Sequence, residues 1–404
     1  MKTAIIGGGA AGFFAAITAK ERFPDSDVII FEKSQQLLSK VKISGGGRCN
    51  LTNGCESIED LCKAYPRGGR ELKKLFGLFN NHHTIDWFES RGVPLVIQED
   101  NCVFPRSQNS QSIIDCLISQ TGRLNIQIKT GSGVRSLKRC DSCIEIDFTD
   151  EKRAALQFDK VIVTTGGSPK REGLRWLEEC GHKISEPVPS LFSFNIPADP
   201  VRSLMGVVVE NVVVSLPGTK LKADGPLLIT HWGVSGPAIL KLSSYGARIL
   251  KERDYNFKIS INWVNETNND FVSDEIKRLA TNHSGKMVTS VRPFSLPVRL
   301  WIFLAEKCGF SSDKRWSEIG KKGINKIVNA LTNDEYSVKG KATFREEFVT
   351  CGGVSLDSVN MNTMESKLIP NLYFAGEVLD IDAITGGYNL QAAWTTGYVA
   401  GRLN

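Results

Sequence analysis

The chain has 404 residues, of which 41% are hydrophobic and 23% are charged, and its formal net charge is +6. This length suffices for two or three domains, and the composition excludes a disordered or fibrous protein. No apolar run is long enough to span a membrane, and so small a net charge requires no nucleic-acid partner. We therefore expect a soluble globular protein with neither membrane nor nucleic acid as a partner.

The ten cysteines and five histidines show no disulfide framework and no metal-ligand spacing. Glycines interrupt the first apolar run, so we expect no signal peptide and a cytoplasmic, reducing location with free thiols. Cys140 and Cys143 form a C-x-x-C pair, but they lie in the turn of a predicted hairpin, whereas redox pairs lie at a helix N-terminus. No metal is predicted.

The N-terminal segment predicts a strand, a helix and a second strand. Lys2–Ile6 is a strand-like apolar run, the helix is predicted over Phe13–Arg22, and the second strand over Asp27–Phe31. Glu32 follows the second strand, twenty residues after the last glycine of the intervening turn. An acid at this spacing is typical of a βαβ unit that binds a dinucleotide.

The turn between the first strand and the helix indicates pyrophosphate binding. Gly7, Gly9 and Gly12 satisfy G-x-G-x-x-G, and Ala10 and Ala11 lie between them. The first glycine makes the turn, the second lets a pyrophosphate touch the backbone, and the third lets helix and strand pack closely. The helix N-terminus adds free N–H groups and a partial positive charge.

The ends of three strands complete the predicted nucleoside site. Glu32 would accept hydrogen bonds from ribose hydroxyls, and its charge argues against a 2′-phosphate there. Lys33 is assigned to the same site, as are Val134 near a later strand and Thr165 and Gly166 at the end of another.

The loop over Lys40–Asn53 contains the sequence KISGGGRCNLTN and is the next candidate segment. Its glycines suit close approach to a cofactor, its arginine can balance pyrophosphate charge, and its short polar side chains can bind the cofactor. A plain flexible loop is the alternative interpretation. The residues assigned to the cofactor here are Ser44, Gly45, Gly46, Gly47, Arg48, Cys49, Asn50 and Thr52.

The remaining elements before residue 190 continue an α/β pattern. They are helices within Ser57–Arg91, a hairpin over Pro94–Phe104, a helix over Ser110–Thr121, and strands over Asn125–Lys129 and Lys160–Thr165.

The middle of the chain changes character. Gly206–Leu216 is rich in valine and Tyr255–Val264 alternates, which predicts an antiparallel sheet or barrel. Asp270–Thr332 has helical periodicity, and strand character returns over Ala342–Thr350. We therefore predict a Rossmann-like α/β domain over residues 1–190 and 350–404. A β-barrel insert is predicted over 191–268 and 338–349, and a small helical insert over 269–337.

The C-terminal segment is again strand, loop and helix. A strand is predicted over Asn371–Ala375 and an Ala/Gly-rich helix over Leu390–Leu403, with Gly386 and Gly387 just before it. A nicotinamide dehydrogenase would place its second nucleotide half directly after the first. Here the remaining cofactor-like segment is delayed until Gly376–Leu390, which favours FAD reaching between the two ends of the chain.

Several residues of this C-terminal segment are assigned to the flavin. Glu377, Asp380 and Asp382 are the candidates for binding ribityl hydroxyls, and Glu377 and Asp382 are assigned to the cofactor. The N–H groups of Asn389 and Leu390 would face the flavin N1/C2=O edge, where a helix N-terminus stabilises the negative charge of reduced flavin. Gly376, Gly386 and Gly387 complete the set. A glycine-containing loop that caps an ordinary helix is the alternative, but it does not explain the acids.

Together these segments resemble the HI0933-like family of NAD(P)/FAD-dependent oxidoreductases. The matching motifs are Gly7–Gly12, Ser44–Asn53, Thr230–Leu240, Val349–Leu356 and Gly376–Gln391. The resemblance implies FAD as the cofactor and a fold with an inserted β-barrel and a small helical insert. It also implies an oxidoreductase, with enone reduction and amine oxidation among the family's activities.

The chain departs from the family's pattern at two places. Ala383 replaces a usual glycine, and Asn101-Cys102 replaces a usual Gly-Arg on the substrate side. We therefore do not transfer a substrate from the resemblance.

Two residues are assigned to the chemistry at flavin N5. His231 is the proton-transfer candidate, although a structural histidine is the alternative. Tyr388 is assigned to cover the ring or to donate a hydrogen bond. No second G-x-G-x-x-G unit occurs, so the electron partner is NAD(P)H visiting transiently, a partner protein or O2. The favoured function is hydride transfer with a small organic molecule; the alternative is a flavoprotein that binds or modifies RNA.

Overall fold

The structure is a computed structural model that describes residues 1–341 and 349–404. Contacts within the chain separate two compact units. The first contains Met1–Ser190 and the chain after the undescribed residues, and the second begins at Leu191. Most of the strand predicted over Ala342–Thr350 lies outside the described residues. The finer three-part division into domains stays a prediction.

The elements of the chain up to Ser190 alternate between strands and helices. In chain order they are β1 (Lys2–Ile6), α1 (Ala10–Arg22), β2 (Asp27–Phe31), α2 (Ser39–Ile43), β3 (Thr52–Asn53), α3 (Ile58–Lys63), α4 (Gly69–Phe76), α5 (Asn81–Glu89), β4 (Leu95–Ile97), β5 (Cys102–Pro105), α6 (Gln111–Arg123), β6 (Gln127–Lys129), β7 (Val134–Arg139), β8 (Ile144–Phe148), β9 (Leu156–Phe158), β10 (Lys160–Val163), α7 (Arg175–Glu179) and β11 (Ile184–Ser190).

The later elements follow in two groups. From Leu191 onwards they are β12 (Phe194–Asn195), β13 (Val208–Ser215), β14 (Lys222–Ile229), β15 (Gly233–Ser235), α8 (Pro237–Tyr245), α9 (Ala247–Glu252), β16 (Asn256–Asn262), α10 (Asn269–Asn282), α11 (Val298–Lys307), α12 (Gly320–Thr332) and β17 (Asp334–Lys339). After the undescribed residues come β18 (Val349–Val354), β19 (Val359–Asn360), β20 (Glu365–Ser366), β21 (Leu372–Phe374) and α13 (Tyr388–Gly401).

The first unit is built on a seven-stranded sheet in the order β19-β20-β21-β10-β1-β2-β6. The strands from β21 to β6 are parallel. β1, β2 and β10 are short runs of buried apolar residues, as expected of strands covered on both faces. The C-terminal strand β21 thus lies two positions from the N-terminal strand β1, so both ends of the chain contribute to one sheet.

Helices α1 and α13 pack directly on each other through small residues. A Cβ atom at Gly397 would lie 2.6 Å from the carbonyl oxygen of Ala11, and one at Gly401 would lie 2.5 Å from that of Ala15. Only glycine allows backbones to approach this closely. The helix that begins at the first glycine turn is therefore held against the helix that begins at Gly386-Gly387.

The second unit contains a six-stranded antiparallel sheet in the order β12-β15-β14-β13-β16-β17. Its two ends meet where Phe194 pairs with Lys341, which closes the sheet into a barrel. Helices α10, α11 and α12 lie between β16 and β17 in the chain. This unit has its own apolar core, in which Trp263, Trp301 and Trp316 are fully buried.

The predicted α/β fold with a Rossmann-like domain and an inserted barrel is confirmed. Two details differ from the sequence-based expectation. Helix α1 begins at Ala10 because Gly9 is its N-cap, and the predicted loop over Lys40–Asn53 contains α2, a short 3-10 turn and β3. The hairpin turn at Cys140 and Cys143 forms as predicted, and all ten cysteines are free thiols.

His182 gives the first unit a predictable dependence on pH. The ring is 1% exposed, and its Nε2 contacts Ser366 Oγ at 2.8 Å. Burial lowers the pKa of His182 from its ordinary value, against a weaker opposing effect of the Leu177 carbonyl. The folded state therefore keeps this ring neutral, while the unfolded chain takes up a proton below about pH 6.5.

We expect stability to fall as the pH drops below about 6.5, by up to about 1.4 kcal/mol per pH unit from this group. Above that pH both states carry a neutral ring and the dependence disappears. Urea unfolding at pH 7.5 and 5.5 measures it in the wild type, in His182→Gln, and in His82→Gln as an exposed control. An unchanged pH dependence in His182→Gln would contradict the assignment.

Candidate functional site

The glycine turn after β1 is as tight as the motif predicts. Gly7 has a φ of +120°, and a Cβ atom there would lie 2.4 Å from the carbonyl oxygen of Thr164. A Cβ atom at Gly12 would lie 2.0 Å from the carbonyl oxygen of Gly7. Thr164 holds the turn through its hydroxyl, which donates to the carbonyl oxygens of Ile6 and Gly7 at 3.0 and 2.9 Å.

Four other glycines have open space beside their backbone, which a ligand can approach. A Cβ atom at Gly9, Gly46, Gly47 or Gly166 would meet no heavy atom within 4 Å. Gly9 precedes α1, whose first residues are Ala10 and Ala11, and no side chain caps that helix. The first N–H groups of α1 therefore have no capping side chain, and uncapped N–H groups at a helix N-terminus bind anions well.

Glu32 lies directly beside the glycine turn. Its carboxylate accepts hydrogen bonds from the backbone N–H groups of Gly8 at 2.8 Å and of Ser34 at 2.9 Å. Lys33 is exposed. The residues just before Val134 lie beside Glu32: the N–H of Ser132 donates to the carbonyl oxygen of Glu32 at 2.8 Å. The structure therefore brings Glu32, Lys33 and the start of β7 together.

We expect Glu32→Ala to weaken FAD binding about tenfold, which corresponds to the loss of one hydrogen bond to a charged group. The measurement is fluorescence titration of apoprotein with FAD. Asp25→Ala, which removes an exposed acid of the same unit, serves as the control and should bind as the wild type does. Unchanged affinity in Glu32→Ala would contradict the ribose assignment.

The segment Ser44–Gly47 forms a 3-10 turn in which Gly45, Gly46 and Gly47 have φ values of 58°, 68° and 85°. These left-handed conformations explain the run of glycines. Arg48 stacks on the ring of Phe104 at 4.1 Å and donates from Nε to the carbonyl oxygen of Gly45 at 3.2 Å. Its guanidinium therefore stays beside the glycine turn.

Cys49 is fully buried behind this turn. Its N–H donates to the carbonyl oxygen of Ser44 at 2.9 Å. Burial raises the pKa of Cys49 to about 12, so the side chain is a neutral thiol at physiological pH. Because the thiolate is the reactive form, Cys49 is suited to packing rather than to nucleophilic chemistry.

The polar residues after Cys49 join this loop to the C-terminal turn. Thr52 donates from Oγ1 to Gln391 Oε1 at 2.6 Å, and Asn53 donates from Nδ2 to the carbonyl oxygen of Gly386 at 3.1 Å. A Cβ atom at Gly387 would lie 2.3 Å from the carbonyl oxygen of Thr52. When its amide is oriented to satisfy both polar atoms, Asn50 accepts from the N–H of Gly387 at 3.2 Å.

Gln391 is a residue that the sequence reasoning did not identify. It is fully buried, and its Oε1 accepts from the hydroxyls of both Thr52 and Thr84, the latter at 2.9 Å. Its Nε2 donates to Thr395 Oγ1 at 3.0 Å. The sequence could have indicated this role, because a glutamine on the buried face of an apolar helix needs hydrogen-bond partners.

The acids of the C-terminal segment use their oxygens within the protein. Glu377 pairs with Lys40 and accepts from the N–H of Thr350 at 2.8 Å. Asp382 is fully buried against Arg67 and Ser190. Burial raises the pKa of Asp382, while Arg67 and Ser190 favour its charged form. The ribityl-binding role of the two acids stays a prediction.

The N-terminus of α13 is well defined. Gly376, which begins the preceding turn, donates its N–H to Thr396 Oγ1 at 2.8 Å. Asn389 binds both polar atoms of the Ala383 backbone, at 2.9 and 3.0 Å. No side chain caps the helix, whose first residues Tyr388, Asn389 and Leu390 are half-buried. Uncapped N–H groups at this position suit the flavin N1/C2=O edge.

The two residues assigned to proton chemistry lie in different units. Burial raises the pKa of Tyr388 above its usual range, so its phenol is protonated at neutral pH. His231 is exposed in the turn between β14 and β15, and its carbonyl oxygen accepts from Arg202 Nε at 2.6 Å. Thr165 is also exposed, after β10. The roles of these residues stay predictions.

Within residues 1–341 and 349–404, no helix is both long and apolar enough to cross a membrane. Over the same ranges, no group of three or more His, Cys, Asp and Glu side chains is arranged to hold a metal ion.

The fold and the glycine-lined site define a Rossmann-type dinucleotide-binding protein. The family model described as "HI0933-like protein Rossmann domain" matches residues 1–403. The chain therefore belongs to the HI0933-like family, as its motifs predicted. The predicted enzyme class, an oxidoreductase, is confirmed with it.

The chain is similar to known proteins of more than one kind. The chain is 29% identical to a 3-dehydro-bile acid delta(4,6)-reductase of Clostridium scindens, over 98% of this chain and 97% of that protein. It is 26% identical to the ribosomal RNA dihydrouridine synthase of Escherichia coli, over 98% and 95%. Among solved structures, FrdA of Escherichia coli quinol fumarate reductase gives a TM-score of 0.51 at 13% identity, over 100% of this chain and 69% of that chain. This last likeness concerns the fold alone.

Proposed function

We propose that the protein is an FAD-dependent oxidoreductase that reduces a carbon–carbon double bond conjugated to a carbonyl group in a small organic molecule. When bound, FAD supplies the hydride from its N5 atom. NAD(P)H is the proposed transient reductant, because the sequence contains one dinucleotide-binding fingerprint only. The name of the Clostridium scindens relative, a bile acid reductase, supports reduction as the direction and a polycyclic ketone as the substrate class.

A single observation carries the cofactor assignment: three distant segments that all contain glycines are held together in one unit, and Gly9, Gly46 and Gly47 in two of them have open space beside them. The turn Gly7–Gly12, the loop Ser44–Asn53 and the turn Gly386-Gly387 are joined by the Thr52–Gln391 and Asn53–Gly386 hydrogen bonds and by the close packing of α1 on α13. A large dinucleotide explains why segments so far apart in sequence all carry glycines. An ordinary βα turn explains only the first of them.

The chain's own residues have separate tasks in this proposal. The first N–H groups of α1 and Arg48 bind the pyrophosphate, and Glu32 binds the ribose. The N-terminus of α13 stabilises negative charge at the flavin N1/C2=O edge. Tyr388 and His231 are the candidates to orient the substrate and to supply the proton that balances hydride addition. We place the protein in the cytoplasm.

The test is flavin content followed by reductive chemistry. The purified protein should be yellow and release FAD on denaturation, and NADPH should bleach it under anaerobic conditions. A 3-keto-4-ene steroid should then restore the oxidised spectrum with one saturated product per flavin, whereas the saturated ketone should not. Colourless protein that cannot be reconstituted with FAD would exclude the cofactor. Reduced flavin that is reoxidised by O2 but not by the steroid would exclude the substrate class.

A second function, reduction of a uracil ring in RNA, is favoured by a specific observation. Two curated relatives are named ribosomal RNA dihydrouridine synthases, and a uracil ring also contains a double bond conjugated to a carbonyl group. Residues 191–341 contain 21 Lys and Arg against 14 Asp and Glu, whereas the rest of the chain contains 29 against 30. The chain's net positive charge thus belongs to the second unit, where it would attract RNA.

The two functions are separated by their acceptors. Reduced protein that is reoxidised by an RNA transcript, but not by free uridine or an enone, would establish the RNA function. The affinity of the protein for the RNA should then fall steeply between 50 and 200 mM salt, because RNA binding releases counterions. Reoxidation by the enone with no salt-dependent RNA binding would establish the small-molecule function.

A further inference from the structure

A buried ion pair joins Arg67 to the loop before α13. The guanidinium contacts both oxygens of Asp382, with Nε 2.5 Å from Oδ1. Ser190 donates its hydroxyl to Oδ2 at 2.9 Å. The Asp382 side chain is fully buried and that of Arg67 is 17% exposed. We propose that Arg67 is a positioning residue that pre-forms the Asp382–Tyr388 loop as a flavin-binding surface; this inference rests on the proposed function.

The neighbours of Arg67 hold the same loop. The carbonyl oxygen of Ala64 accepts from the N–H of Ile384 at 2.9 Å, and the Tyr65 hydroxyl donates to the carbonyl oxygen of Tyr388 at 2.6 Å. A Cβ atom at Gly68 would lie 2.6 Å from the Ile381 side chain. The segment before α4 therefore runs along the loop and contacts it at both ends.

The loop connects Asp382 to the start of α13, so the position of Asp382 determines where the helix begins. Asn389, in the first turn of the helix, binds the backbone of Ala383, the residue next to Asp382. A shift of Asp382 would therefore move Gly386-Gly387 and the first N–H groups of the helix. These groups are the ones that the proposed function places against the flavin.

The chemistry of the pair favours positioning over stabilisation. A buried ion pair contributes little net stability, because desolvation of the two charges offsets their attraction, yet it fixes one geometry. Arg67 makes two parallel contacts from a planar group, and a lysine cannot reproduce them. Asp382 has three donors on its two oxygens, which leaves its carboxylate committed to the protein rather than to a ligand.

The test compares Arg67→Lys with Arg70→Lys, a matched change at an exposed arginine of the same segment. In apoprotein, the amides of residues 383–389 should lose hydrogen-exchange protection in Arg67→Lys and keep it in Arg70→Lys. The Kd for FAD should rise about tenfold in Arg67→Lys, as expected when one charge-assisted hydrogen bond is lost. Thermal unfolding measured on the same samples checks that both variants are folded.

A double variant separates positioning from a purely structural role. Arg67→Met combined with Asp382→Leu removes the pair without leaving a lone buried charge, so the fold should persist. Weaker FAD binding at an unchanged unfolding temperature supports the inference. Wild-type FAD affinity and loop protection in both Arg67→Lys and the double variant would overturn it. Wild-type apoprotein that takes up no FAD would overturn the proposed function instead, while the amide protection would still report on the loop.

Discussion

Gly12→Ala is expected to abolish the proposed flavin binding and to remove a large part of the first unit's stability. The added Cβ would lie 2.0 Å from the Gly7 carbonyl oxygen and 2.8 Å from Thr164 Oγ1. Backbone cannot move away as a flexible side chain can, so the turn must open, at a cost of about 3 kcal/mol. Urea unfolding of apoprotein measures the destabilisation, and the absorbance of purified protein measures the retained flavin.

Gly9→Ser is the matched control, because it adds a larger side chain at a position with free space. A Cβ at Gly9 meets no atom within 4 Å, and Gly9 is the N-cap of α1 with an extended φ of −97°. Serine is a better N-cap than glycine, so the apoprotein should be as stable as the wild type or slightly more stable. FAD should nevertheless bind much more weakly, since the side chain fills the place proposed for the pyrophosphate. Wild-type FAD affinity in Gly9→Ser would place the cofactor elsewhere.

The contrast between these two glycines shows what the sequence can reveal about this site. The motif G-x-G-x-x-G correctly predicted the tight turn and the strand and helix beside it, because each glycine is required by the local geometry of that strand, turn and helix. The parallel strands were also predictable, since continuous apolar runs such as Lys2–Ile6 and Lys160–Val163 are typical of strands covered on both faces. Sequence patterns were sufficient to predict those parts of the structure that depend on contacts between residues close together in the chain.

Contacts between distant segments were not predictable in the same way. Thr164 holds the glycine turn from 157 positions away in the chain, and Gln391 binds Thr52 across 339 positions. Nothing near Arg67 in the sequence indicates that its partner is Asp382. The acids Glu377 and Asp382 show the consequence: an unpaired carboxylate near a glycine turn suggests a ligand, but folding supplied Lys40 and Arg67 as partners.

The segment Lys40–Asn53 is predicted from the sequence to be a loop, and its three successive glycines are themselves poor helix formers. The structure shows that the glycines belong only to its turn, at positive φ, while Ser39–Ile43 before them is helical. The functional assignment of the loop did not depend on this difference. It depended on glycines and short polar groups, and the polar residues Asn50, Thr52 and Asn53 are the ones that contact the C-terminal turn.

Asp334→Ala is expected to have the largest effect on the second unit. Asp334 is 3% exposed and accepts hydrogen bonds from Trp263 Nε1 at 2.9 Å, from Lys307 Nζ at 2.5 Å and from the hydroxyl of Tyr336. These donors lie just after β16, at the end of α11 and in β17, so one carboxylate joins the barrel to the helices inserted in it. Burial raises the pKa of Tyr336 above its usual range, so the phenol remains a donor at any ordinary pH.

Removing this carboxylate leaves an indole N–H, a phenol and an ammonium group without their shared acceptor. The Lys307 side chain is 37% exposed, so its ammonium can be solvated, whereas each of the two buried donors that loses its acceptor costs about 1–3 kcal/mol. Asp334→Asn keeps one acceptor oxygen and should fall between the wild type and Asp334→Ala. Glu335→Ala is the matched control, because its exposed ion pair with Lys258 should contribute under about 1 kcal/mol. Urea unfolding is followed by tryptophan fluorescence, to which the four tryptophans within residues 191–341 contribute. Equal midpoints for Asp334→Ala and Glu335→Ala would show that the network does not support the barrel.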